Sequence, residues 1–156
     1  MSAGRLAAWL AVPARWYLGV LFIGACLHKI AHPGSFALDI ATYDILPLVL
    51  VNLAAVTLPW AELAAGLMLV AGLRSRAAAW MIAGMMAVFA IALVIALGKG
   101  LDMSCGCFAS QGAVDEDPIS VLTVLRDLVW LGLAGFVIVF DRGVLGLDGW
   151  LRRGGS

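Results

Sequence analysis

Stretches of about 20 almost purely apolar residues occur four times in this chain, and that recurrence limits its folds more than any motif does. Runs of this length and number do not suit a soluble domain of 156 residues, whereas a helix of about 20 residues crosses a hydrocarbon core about 30 Å thick. The runs extend from about Pro13 to Ala31, Pro47 to Gly72, Ala77 to Leu97 and Ile119 to Phe140. With 63% hydrophobic and 13% charged residues, the composition leaves little polar surface outside them. The expected fold is all-α: one integral membrane domain over residues 1–156, built as a four-helix bundle in lipid. A formal net charge of zero offers no basic face to nucleic acid.

Local signals set the expected span ends. Pro13 suits a first helical turn, His32-Pro33-Gly34 ends the first span, and Gly98-Lys99-Gly100 ends the third. Pro59, lying inside the second span, removes an amide and predicts a kink there. The first run is too long for a secretory leader, and Cys26-Leu27-His28-Lys29 stands where small residues would mark cleavage, so it reads as a retained span. Ala64-Ala65-Gly66 and Ala83-Gly84 suit close helix packing, and tryptophans near span ends suit the membrane interface.

Basic residues predict the orientation. With four spans, Arg5, Arg15, Arg74, Arg76, Arg142, Arg152 and Arg153 share one side, while Lys29, Lys99 and most acidic residues share the other. The positive-inside rule then puts both termini in the cytoplasm of a bacterial inner membrane and turns the 98–118 loop toward the periplasm or exterior.

That loop carries Cys105-Gly106-Cys107-Phe108. Cysteines two residues apart in extended chain lie about 6.6 Å apart at Cα, near the upper limit of disulfide reach. A bridge therefore needs a tight turn, which Gly106 permits, and a strained bridge is easily reduced. In an oxidising compartment the pair reads as a labile dithiol/disulfide. Charged residues within the apolar spans form the second signal, because an ionised group there is costly and faces the protein interior. Glu62 follows Pro59 by about one turn, Lys29 lies near the outer end of the first span, and Arg126 lies in the first turns of the fourth, beside Asp127. Glu62 and Arg126 either pair to hold helices or belong to a ligand-binding or catalytic cluster beneath the cysteine loop. Cys26 is a third thiol, either packed or a partner of the loop cysteines. Cys26, His28, Cys105 and Cys107 also make an alternative soft-metal set for copper, zinc or mercury.

Several pieces in order resemble the methylamine-utilisation MauE family, within the DoxX-like group of four-span bacterial membrane proteins. They are Gly24 to Lys29-Ile30 with His32-Pro33, Tyr43 with Leu46-Pro47, Leu58-Pro59-Trp60-Ala61-Glu62-Leu63 with Gly66, Cys105-Gly106-Cys107-Phe108, and Ile119-Ser120 to Arg126-Asp127. The resemblance implies action with a thioredoxin-like partner, or on an exported thiol protein, in maturation of exported disulfide-containing proteins. It marks Lys29, Glu62, Cys105, Cys107 and Arg126 as motif positions. Two departures are Ala109 where the family usually has glycine, and the additional Cys26. The expected function is thus a membrane thiol-disulfide redox protein with Cys105 and Cys107 as the reactive pair. Architectural analogy with four-helix disulfide-forming enzymes adds a quinone as a candidate electron carrier. The other readings are the soft-metal binding or transport protein and a non-catalytic membrane anchor subunit.

Overall fold

The computed structural model describes residues 3–100, 121–141, 143 and 145–147. Five helices make up the fold: α1 (Ala3–Ala31), α2 (Pro33–Thr42), α3 (Leu48–Ala71), α4 (Ser75–Gly98) and α5 (Val121–Phe140). No strand occurs among the described residues. All but α2 are long and apolar enough to cross a membrane. This is a multi-pass membrane protein, and its backbone polar groups are satisfied within helices, as hydrocarbon demands.

Two features differ from the sequence expectation. First, α1 begins at Ala3 and passes through Pro13. The lost amide costs one backbone bond, but Ala8, Ala11 and Val12 are buried around the proline, so packing holds the helix together. Second, α2 was not expected. His32 leaves helical geometry (φ −129°, ψ 64°) and Pro33 restarts a helix at its first turn, where proline is best tolerated. Further along, α3 runs on both sides of a buried Pro59. It ends at Gly72, whose φ of 67° is left-handed, with Gly72 N–H donating to the Leu69 carbonyl and Leu73 N–H to that of Met68.

Packing begins where α1 crosses α3. A Cβ on Gly19 would lie 2.7 Å from Val70 Cγ2 and 2.9 Å from the Gly66 carbonyl oxygen, so only glycine allows this approach. Around the crossing, Leu18, Phe22, Ala65, Leu69, Ile82, Trp130, Ala134 and Val137 form the main core. Large apolar side chains such as Val20, Leu53, Trp80, Val88 and Leu122 stay exposed on the outer faces, the pattern of helices solvated by lipid.

One end of the bundle is fastened by a buried ion pair. Arg15 Nη1 lies 3.4 Å from Asp141 Oδ2, both side chains are fully buried, and Arg15 Nη2 donates to the Leu145 carbonyl at 3.1 Å. The Gly143 amide donates to Asp141 Oδ1 at 2.9 Å, so the backbone beyond α5 folds back over the guanidinium. Gly72 and Gly146 meet here: a Cβ on Gly72 would come within 2.6 Å of Gly146 Cα. Arg15 is therefore a buried structural charge, whereas the sequence marked it only as one of the basic residues that set the orientation.

Candidate functional site at the opposite end

At the other end, the last turn of α1 faces the middle of α3. Close approach at Gly19 and Gly66 brings Lys29 within reach of Glu62, which lies one turn before Gly66 on the same helix. Lys29 Nζ donates to Glu62 Oε1 at 2.9 Å and Oε2 at 3.1 Å, with the side chains 7% and 12% exposed. Shielded this far from water, the pair attracts much more strongly than a surface pair. The Phe36 ring from α2 covers the ammonium at 4.8 Å, so α2 roofs the pair with an aromatic face. Cys26 lies one turn below Lys29, fully buried, donating to the Ile23 carbonyl at 3.1 Å and within electrostatic reach of both charges.

α2 adds two titratable groups to the roof. Burial pushes the Asp39 carboxyl above its ordinary range, while His28 and Lys29 pull it back. Burial also drives the Tyr43 hydroxyl up to about 12, and the charges of Asp39 and Asp127 add to that rise. Tyr43 packs with Leu93, Ala96, Phe89 and Val124, which ties α2 to the ends of α4 and α5. Lys99 Nζ, just beyond α4, donates to the Asp44 carbonyl at 3.3 Å. The chain thus leaves the described residues at Gly100 and returns at Val121 at the same end as Lys29.

α5 brings a second polar group. Arg126 Nε lies 3.4 Å from Asp127 Oδ1 and its guanidinium stacks over Trp130 at 4.8 Å, while Trp130 Nε1 donates to the Tyr17 hydroxyl at 3.4 Å. Asp127 is 1% exposed, and its Oδ2 has no hydrogen-bond partner among the described residues.

The structure thus brings together Cys26, Lys29 and Glu62 and gives Glu62 to Lys29, so the Glu62–Arg126 pairing considered from sequence does not form; Arg126 reaches its neighbour Asp127 instead. His28 stacks on His32. Among the described residues no three His, Cys, Asp or Glu side chains converge as a metal site. Cys105 and Cys107 lie outside the described residues, as does most of the 98–118 loop. Sequence reading missed the Arg15–Asp141 pair, the Phe36 roof and the burial of Asp127. For Asp127 a signal existed: Thr123, Asp127, Trp130, Ala134 and Val137 alternate at spacings of four and three, the inner stripe of one helix, and all are buried.

Comparison with known proteins gives the family. The model of the family described as methylamine utilisation protein MauE matches residues 7–140, which takes in every candidate site residue. The chain belongs to the MauE family. The MauE protein of Paracoccus denitrificans is 36% identical over 121 residues, covering 77% of this chain and 63% of that protein. The MauE protein of Methylophilus methylotrophus is 26% identical over 140 residues, covering 89% of this chain and 73% of that protein. The chain therefore spans a little under two thirds of the length of the Paracoccus relative. No solved structure matches.

Proposed function

We propose that this MauE-family protein is a thiol-disulfide redox component of a bacterial inner membrane, working with a thioredoxin-like partner in the maturation of exported proteins. The supporting observation is the shielded Lys29–Glu62 pair, with Cys26 beneath it, at the end of the bundle where the chain leaves and re-enters around Cys105 and Cys107. The basic residues favour cytoplasmic termini and an outward cysteine loop. The printed names of the relatives suggest methylamine utilisation as the setting.

In one turnover a thiolate from Cys105 or Cys107 attacks the partner's disulfide, forming a mixed disulfide and releasing one partner thiolate. The second cysteine then attacks the mixed disulfide, so the partner leaves as a dithiol and this protein holds the disulfide. Two electrons pass to the partner, and the reverse sequence returns them. Net oxidation of the partner would need an acceptor of two electrons and two protons, chemistry that a quinone would supply.

Thiol trapping in cells tests the proposal. Wild-type protein should show both dithiol and disulfide forms, and either Cys105→Ser or Cys107→Ser should accumulate a mixed disulfide with the partner. A pair that stays fully reduced, with no mixed disulfide in either variant, contradicts it. Full activity of a double serine variant would favour the anchor role instead.

A further inference from the structure

His28 and His32 stand one helical turn apart at the corner between α1 and α2, with ring centroids 4.8 Å apart and planes 31° from parallel. The spacing survives the end of α1 because the His32 amide still donates to the His28 carbonyl at 2.9 Å. The His32 carbonyl in turn accepts from the Phe36 amide at 3.3 Å, and Pro33 restricts the backbone before it. The backbone that carries the second imidazole is thus fixed from both sides, which lowers the ordering cost of binding through it. His28 is half-buried and His32 exposed, so a hydrated ion reaches both rings. Asp39 on α2 lies within electrostatic reach of His28 and adds negative charge near any bound cation.

Two imidazoles at i and i+4 on one face form a chelate for a divalent transition metal. No third His, Cys, Asp or Glu converges among the described residues, so these residues alone make no closed four-ligand site of structural zinc type. Two protein nitrogens with water in the remaining positions suit tetragonal copper(II), which also heads the affinity order for such ligands.

We propose that His28 and His32 form an exchangeable two-histidine site for copper(II)-type divalent cations at the α1–α2 corner. It is distinct from the thiol set Cys26, Cys105 and Cys107, since Cys26 donates into its own helix and His28 turns to His32. A bound ion would clip the end of α1 to the start of α2, near the Lys29–Glu62 pair in sequence and independent of the proposed thiol chemistry.

The test uses full-length, untagged protein in detergent, carrying Cys105→Ser and Cys107→Ser so that loop thiols neither bind nor reduce copper. Copper(II) is titrated and followed by calorimetry and electron paramagnetic resonance. The expected result is one ion per chain with coupling to two imidazole nitrogens, and weakening of about tenfold or more in both His28→Ala and His32→Ala. Nickel(II) and zinc(II) should bind in the same place more weakly. His28→Gln, which keeps side-chain bulk, should lose affinity in the same way, separating ligand loss from misfolding. Affinity unchanged by either histidine substitution, or a spectrum without two coupled nitrogens, overturns the proposal. Because the loop cysteines are absent from the test protein, the result leaves the redox reading to its own experiment.

Discussion

Among the described residues, each end of the bundle holds one ion pair between helices or their ends, and the pairs are built differently. Arg15 and Asp141 are wholly enclosed, and glycines, backbone carbonyls and an amide complete the enclosure. Lys29 and Glu62 approach more closely, at 2.9 and 3.1 Å, yet retain some exposure under a roof made by one short helix. An enclosed charge pair in lipid fastens helices, since each charge is stranded if the other is removed. A shielded pair beneath a roof, beside a thiol and near the ends of the cysteine-bearing segment, can also interact with chemistry outside the bundle. The contrast separates an end closed around its charges from an end whose charges stay partly open.

Breaking the closed end should have the largest effect on stability. Arg15→Met or Asp141→Asn should each cost about 3–5 kcal/mol, seen as a lower unfolding midpoint in detergent. At the Lys29–Glu62 end, Lys29→Met should cost less, about 1.5–3 kcal/mol, and on the proposed redox role should abolish thiol exchange; equal stability losses at both ends would erase the contrast. Gly19→Ala, whose added methyl meets Val70 and the Gly66 carbonyl, should cost about 1–3 kcal/mol and pull Lys29 away from Glu62. Phe36→Leu removes the aromatic face over Lys29 and should cost about 0.5–1 kcal/mol, with a measurable loss of activity. At neutral pH the ionisation of Tyr43 should have no effect. The fold favours its neutral phenol, so this contribution is complete below the ordinary tyrosine range near 10 and lost as pH rises toward about 12. Ultraviolet titration of wild type should show a late tyrosine ionisation that Tyr43→Phe removes.

Much of the fold was legible because lipid enforces it: a long apolar run has few alternatives to a helix, and α3, α4 and α5 lie where the runs do. Pro13 misled because a proline signal says where a helix can start, whereas packing around Ala11 and Val12 decides where it does. α2 escaped notice since ten residues with no fully buried side chain carry too little periodic pattern to separate from a loop. At the site, the cost of charge in hydrocarbon singled out Lys29, Glu62 and Arg126, but cost does not choose partners. The Gly19–Gly66 crossing chose Lys29 for Glu62, and the distance in sequence between Arg15 and Asp141 hid a pair that forms only when the bundle closes.

The central claim, that the Lys29–Glu62 end serves the loop cysteines, is tested most directly by trapping the redox state of Cys105 and Cys107 in intact membranes. The comparison is among wild type, Lys29→Met, Glu62→Gln and Arg15→Lys at matched protein levels. The account predicts that the dithiol-to-disulfide ratio shifts in the Lys29 and Glu62 variants and stays at the wild-type value in Arg15→Lys. A ratio identical in all four proteins would contradict it.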